Sequence, residues 1–340
     1  MQRLVALDGL RGIAAMAVVA GHALRDMQTP FFQPSYLAVD FFFVLSGFVL
    51  ARTYEDKFAG GLSVLEYMRR RVRRLYPAIL VGLVLGLAVA LAHGANDQVW
   101  VAAALQAMML PRFAGAMFPF NDVQWSLMFE LFANALHALI HRWLTHAMLG
   151  LIVLASMIAL WALSLGRGTM NGGFDVLTLD LGFARVLFSF FAGVAIYRLA
   201  SLPRLRTPSL SFLGAACVLS LALAIPASPI PAVVADLVIT TFVWPALVFL
   251  VVQAPQQPVR LRAFADWSGR ISYPLYAVHF PVVVLFEPWT ASAAPMPERL
   301  AVVPLILGLS LVLAILVERY VERPVLTRSA RPRPCPSPAG

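Results

Sequence analysis

LDGLRGIAAMAVVAGH, residues 7–22, sets an arginine and a histidine into one apolar run. Eleven helical steps of about 100° bring His22 to within roughly 20° of Arg11, and a rise of about 1.5 Å per residue parts them by ~16 Å along the axis. One helix thus carries a cation at one depth and a titratable imidazole about three turns further on. Ionisable groups at membrane depth are costly and as a rule face an interior cavity, so the pair reads as part of a functional site. The plain alternative is a snorkelling arginine with an interfacial histidine.

Composition settles the solvent. Of 340 residues, 60% are hydrophobic and 13% charged, with a mean hydropathy of +0.80. That is more apolar surface than a soluble core buries, and the chain reads as an all-α polytopic membrane protein. No cleavable signal peptide is expected, because Asp8 and Arg11 interrupt the first apolar segment. Cys217 falls in an apolar run and Cys335 in a Pro-rich tail, which gives no disulfide framework. The net charge of +9 does not point to nucleic acid, because the arginines gather in short loops between apolar runs.

Windows long enough to cross a bilayer centre on residues 7–25, 36–54, 75–93, 123–141, 147–165, 183–200, 209–226, 232–252, 271–290 and 300–320, which predicts a bundle of about ten transmembrane helices. The stretch from Val99 to Leu110 is too short to span and ends at Pro111. Basic residues test the count. With both termini cytoplasmic, the cytoplasmic segments hold Arg3; Arg52, Lys57, Arg69, Arg70, Arg71, Arg73 and Arg74; Arg142; Arg198, Arg204 and Arg206; Arg260, Arg262 and Arg270; and the arginines from Arg319 to Arg333. The opposite side keeps Arg25, Arg112, Arg167 and Arg299. A crossing at 99–110 would invert every later loop against the positive-inside bias. Residues 94–122 are therefore expected to form a non-crossing excursion. Residues 1–325 read as one membrane domain and 326–340 as a disordered tail rich in proline and arginine. No internal repeat is apparent.

Charged and polar residues inside the spans are the candidates for chemistry. VDFFFVLSGF, residues 39–48, places Asp40 near one end of the second span, where it orients an imidazole such as His22 or serves as a solvated cap. Ser46 and Gly47 permit close approach of a ligand or of a neighbouring helix. Arg69, Arg70, Arg71, Arg73 and Arg74 crowd the entrance of the third span. Orientation and anionic membrane lipid explain much of that cluster. Arg71 and Arg74 nonetheless share a helical face on which two guanidinium forks can clamp a pyrophosphate. Glu130, within WSLMFELF (residues 125–132), must be paired, protonated or facing a polar cavity. His137 and His141 lack the carboxylate or cysteine partners a metal site requires, and no metal is predicted. ISYPLYAVHFP, residues 271–281, puts Tyr273, Tyr276 and His279 in another span, where His279 reads equally as a core histidine.

Taken together, LDGLRGIAAMAVVAGH, VDFFFVLSGF, RVRRLYP (residues 71–77), WSLMFE and ISYPLYAVHF resemble, in order, the motifs of acyltransferase family 3. These integral-membrane proteins move acyl groups from coenzyme A thioesters onto carbohydrates and other exported acceptors. The resemblance covers nearly the whole chain and fits the stand-alone form, without the hydrolase-like domain that some members carry. It implies a multi-pass protein of the bacterial cytoplasmic membrane. An acyl-CoA donor, acetyl-CoA by default, would be held by Arg11, Arg71, Arg74 and Ser46, and a carbohydrate or small-molecule acceptor would be activated by His22. Asp40 or Glu130 would orient the imidazole.

A secondary transporter or lipid-linked sugar permease shares this composition, but matched inverted repeats or broken helices would favour it and none is found. A scaffolding or sensory membrane protein would not need Arg11, His22 and Arg71 to cooperate.

Overall fold

A computed structural model describes residues 5–27, 29–95, 97–113, 115–201, 208–226, 230–254 and 259–325. Arg3, Arg204, Arg206 and the tail from residue 326 onward lie outside the described residues.

Helices account for all regular structure among the described residues: α1 (Val5–Leu24), α2 (Ala38–Ala59), α3 (Val64–Ala92), α4 (Val99–Ala107), α5 (Gln124–Ile140), α6 (His146–Arg167), α7 (Leu179–Ala200), α8 (Phe212–Ala224), α9 (Ala232–Val238), α10 (Trp244–Val252), α11 (Val259–Thr290) and α12 (Met296–Val317). A π-helical turn, Ile239–Val243, fuses α9 and α10 into one rod. Each of the ten apolar windows holds a helix, and eight of these helices are long and apolar enough to cross a membrane. The other two are shorter. The window at 209–226 is bounded by Pro208 and Pro226, which trims α8 to 13 residues because proline cannot donate a helical hydrogen bond and pushes the preceding residue out of helix. α5 has 17 residues and starts only after the polar run Asn121-Asp122. The excursion holds α4, whose nine residues are too few to span.

Helix starts follow local chemistry. Ser63 Oγ accepts from the Glu66 N–H at 3.2 Å, and Thr145 Oγ1 accepts from the Met148 N–H at 3.2 Å, each satisfying a donor that the first turn would otherwise orphan.

Burial separates centre from rim. The apolar windows of α2 and α7 are 78% and 72% buried, against 22% for α6 and α12. The outer faces of α6 and α12 display Leu151, Leu154, Ile158 and Val312, as surfaces meant for lipid do. α2 and α7 meet backbone to backbone. A Cβ on Gly47 would sit 1.9 Å from the Phe190 carbonyl oxygen, and one on Gly193 2.1 Å from that of Val44. This is the helix-crossing role open to the Ser46-Gly47 pair.

α11 is the other organising helix and carries Pro274, Pro281 and Pro288. Pro281 has no N–H, so the Ala277 carbonyl four residues earlier loses its helical partner. Asn121 replaces that partner, donating from Nδ2 to Ala277 O at 2.7 Å. Gly82 of α3 passes over the same carbonyl, where a Cβ would lie only 2.2 Å away. A second tie joins the two helices, from Tyr273 Oη to Leu75 O at 2.6 Å. These contacts hold the segment that bears Tyr276 and His279.

Candidate active site

The last turn of α1 delivers His22 to the wall of a cavity of about 570 Å³, lined also by Arg25, Tyr36, Asp122, Trp125, Asn171 and Tyr276. His22 Nδ1 lies 2.9 Å from His279 Nε2. The two ring centroids lie 5.1 Å apart with the planes 24° apart, while Phe280 packs edge-on to His22 at 5.5 Å. His279 is fully buried. Its Nδ1 faces two backbone oxygens of its own helix, Leu275 O at 3.1 Å and Tyr276 O at 2.9 Å.

Eleven residues earlier on α1, Arg11 opens into a different cavity. This second space, about 160 Å³, is lined by Arg11, Arg70, Arg71 and Arg74 together with Ser46 and Glu130. Arg71 donates from Nη2 to Glu130 Oε1 at 2.8 Å, and Ser46 Oγ donates to the same oxygen at 2.7 Å. The half-buried carboxylate is thereby paired and hydrogen-bonded within the bundle. Arg71 is 7% exposed, whereas Arg74, one turn along the same face, is exposed. Five helices, α1, α2, α3, α5 and α11, thus converge on one basic chamber.

The two cavities have Val39 and Tyr276 as common lining residues. Tyr276 Oη lies 2.7 Å from Ser126 Oγ, and Phe42, which lines the basic chamber, meets the tyrosine ring edge-on at 5.7 Å. A single tyrosine and its aromatic neighbour stand where the chambers adjoin.

Asp40 and Glu130, the two carboxylates expected to orient His22, have other partners. Asp40 is fully buried and grips Arg185 of α7, with Nη2 to Oδ2 at 2.7 Å and Nε to Oδ1 at 3.2 Å. The guanidinium also donates to Gly172 O at 2.7 Å and to Tyr36 O at 3.2 Å, and it lies over the rings of Trp125 and Tyr36 at 5.3 and 5.6 Å. A carboxylate at this depth is tolerated because a cation neutralises it, and Arg185 engages both of its oxygens. The ring nitrogen of His22 therefore finds its partner in His279. Arg185 escaped the reading of the sequence. The signal was its position inside the apolar run LDLGFARVLF, residues 179–188, where an uncompensated guanidinium would not be stable.

His137 and His141 enter neither cavity. His141 stacks on Phe58 at 4.8 Å, and His137 Nε2 lies 3.9 Å from Glu55 Oε1, a carboxylate held by Arg198. Among the described residues no group of three or more His, Cys, Asp or Glu side chains is placed to hold a metal ion. In the loop before α5, burial pushes the Asp122 carboxyl up to about 6, with Arg25 pulling down and Asp175 pushing further up.

A family model described as an acyltransferase domain, that of acyltransferase family 3, matches residues 4–319. Among curated proteins, the chain is 36% identical over 167 residues to "Protein 2 in picA locus" of Rhizobium radiobacter, a match covering 42% of this chain and 83% of that protein. A putative O-acetyltransferase of Staphylococcus aureus (strain COL) is 36% identical over 85 residues, 24% of this chain and 13% of that protein. The O-acetyltransferase OatA of Staphylococcus aureus (strain NCTC 8325 / PS 47) is 32% identical over 76 residues, 22% of this chain and 12% of its own length. The chain thus matches only a small part of the staphylococcal proteins. No solved structure matches.

Proposed function

The chain belongs to acyltransferase family 3, and on that premise we propose that it moves an acyl group, acetyl by default, from a coenzyme A thioester to a hydroxyl of a carbohydrate or other exported acceptor. One observation carries the reading: a chamber lined by four arginines adjoins, at Tyr276 and Val39, a larger chamber that presents His22. In this proposal the basic chamber faces the cytoplasm of a bacterium, as the arginine-rich loops suggest, and the protein sits in the cytoplasmic membrane. Arg11, Arg71 and Arg74 take the donor's phosphates, because guanidinium forks match phosphate oxygens in geometry and charge. Ser46, bonded to Glu130 beside them, borders the donor's path. The thioester then passes Tyr276 toward the imidazole.

His22 acts as general base. Its Nε2 takes the proton of the acceptor hydroxyl as that oxygen attacks the thioester carbonyl carbon. The C–S bond breaks, and the departing thiolate recovers the proton from the imidazolium, leaving an ester and free coenzyme A. Aromatic faces at Trp125 and Tyr36 and polar groups at Asn171 and Asp122 around the larger chamber suit a polyhydroxylated acceptor, whose sugar faces are apolar and whose edges hydrogen-bond.

The test is incubation of the purified protein with radiolabelled acetyl-CoA and candidate glycans, following label transfer and thiol release together. Stoichiometric transfer and thiol release are expected. Movement of a glycan across reconstituted vesicles without thiol release would replace the enzyme reading with a transporter.

A further inference from the structure

We propose that His279 is a positioning residue that fixes His22 in the tautomer with its proton on Nδ1 and its lone pair on Nε2. The catalytic meaning of this assignment rests on the general-base role proposed for His22; the assignment itself rests on geometry.

A neutral imidazole has one N–H and one lone pair, and the partner of one nitrogen decides the state of the other. His279 Nδ1 faces Leu275 O at 3.1 Å and Tyr276 O at 2.9 Å. Carbonyl oxygens only accept, so the proton of an uncharged His279 belongs on Nδ1. Its Nε2 is then a lone pair. That lone pair points at His22 Nδ1, 2.9 Å away, and two lone pairs at that distance repel. His22 Nδ1 must therefore carry the proton and donate it, which leaves His22 Nε2 unprotonated on the ring that lines the larger cavity.

The relay runs from backbone to cavity in two steps and needs no carboxylate. His279 is fully buried, and Asn121, by satisfying Ala277 O beside Pro281, helps hold the turn whose carbonyls set its tautomer. When His22 Nε2 gains a proton, the resulting imidazolium keeps its Nδ1–H pointed at the lone pair of His279. The same contact that selects the base thus stabilises the acid. A histidine ring with no partner in water favours the opposite tautomer, with the proton on Nε2, so the effect requires a dedicated acceptor.

The experiment is solid-state NMR of the protein, ring-¹⁵N-labelled at histidine, in lipid bilayers at pH 8. The His22 resonances are assigned by their loss in His22→Ala. Protonated Nδ1 and unprotonated Nε2 are expected for His22 in the wild type, the proton moving wholly or partly to Nε2 in His279→Leu. In His279→Gln the amide oxygen stands in for the missing lone pair and keeps the wild-type pattern. In the acyl-transfer assay kcat falls about 10²-fold in His279→Leu, with the donor KM unchanged because the basic chamber is untouched, and His279→Gln recovers much of it. A protonated Nε2 on wild-type His22 overturns the proposal without any variant. So does a His22 tautomer that is unchanged in a folded His279→Leu protein. If the tautomer is as assigned but His22→Ala transfers acyl groups normally, the general-base role falls and the tautomer assignment stands.

Discussion

Tyr276 and Ser126 meet hydroxyl to hydroxyl at 2.7 Å, and the tyrosine ring borders both the arginine-lined chamber and the His22 chamber. Ser126 does not depend on the tyrosine hydroxyl, since its Oγ has a second partner in Val123 O at 3.0 Å. Tyr276→Phe is accordingly expected to transfer acyl groups at close to the wild-type rate. Tyr276→Ala widens the proposed passage between the chambers and admits water to the thioester, so thiol release without acceptor rises several-fold relative to transfer. Measuring the two products side by side checks this; tight coupling in Tyr276→Ala would show that the ring is not the barrier.

Removing the imidazole tests the centre of the mechanism. General-base assistance contributes about 10² to 10⁴-fold, so His22→Ala should lose transfer by at least the lower figure. The side chain sits at the end of α1 on a cavity wall, so the variant should elute from size exclusion like the wild type. A folded His22→Ala protein with undiminished transfer rejects the assignment.

Arg71 and Glu130 separate donor binding from stability. Arg71→Ala removes one of the proposed phosphate grips and leaves the half-buried Glu130 without its hydrogen-bonded cation. A charge-assisted hydrogen bond is worth about 1.5–3 kcal/mol, so the donor KM should rise roughly tenfold or more and the melting temperature should fall. Adding Glu130→Gln removes the orphaned charge. The double variant should melt near the wild type while keeping the weak donor binding, as titration with acetyl-CoA and a thermal melt in detergent would reveal.

Spacing along a single helix was enough to place Arg11 and His22 on one face, and they do open into cavities at successive depths of α1. The arginine pair on α3 was legible for the same reason, since positions three apart share a face whatever packs against it. Pairing between helices was not legible. Asp40 and Arg185 lie 145 residues apart in the chain, His22 and His279 257 apart, and no periodicity within a window reports which buried groups will meet. By sequence alone Asp40 is a candidate partner for His22, because both fall near the same end of their spans. Depth alone does not choose between an imidazole and a guanidinium, and the stronger charge partner took the carboxylate. The helix count was blurred by proline: Pro208 and Pro226 shorten α8 without making its window less apolar.

The Asp40–Arg185 pair should behave as structure. Breaking a fully buried ion pair from one side leaves an uncompensated charge and costs about 3–5 kcal/mol. Arg185→Leu alone is expected to unfold at a markedly lower temperature or to fail to accumulate in the membrane. Asp40→Leu combined with Arg185→Leu removes both charges and should recover much of that loss. A melt series across both single variants and the double variant decides the matter; a loss in the double variant equal to the sum of the two single losses would mean that the pair is not coupled.

The pH dependence of stability has an identifiable source in Asp122, whose carboxyl burial raises to about 6 from an ordinary value of 3.8. The folded protein thus binds this proton more tightly than the unfolded chain does. The stabilisation is complete below about pH 3.8 and is lost as pH rises through about 6, once the folded state must also give the proton up. The Asp122 contribution to the melting temperature should accordingly decline between those limits and level off above them. Asp122→Asn, which cannot ionise, should melt above the wild type at pH 7.5, with the gap closing toward pH 4. Because Asp122 also lines the His22 chamber, its ionisation changes the charge an acceptor meets, and the acceptor KM should lose its pH dependence near 6 in the same variant. Parallel melts and acceptor titrations at pH 5, 6 and 7.5 check both expectations, and an Asp122→Asn protein whose melting follows the wild type at every pH would remove the carboxyl as the source.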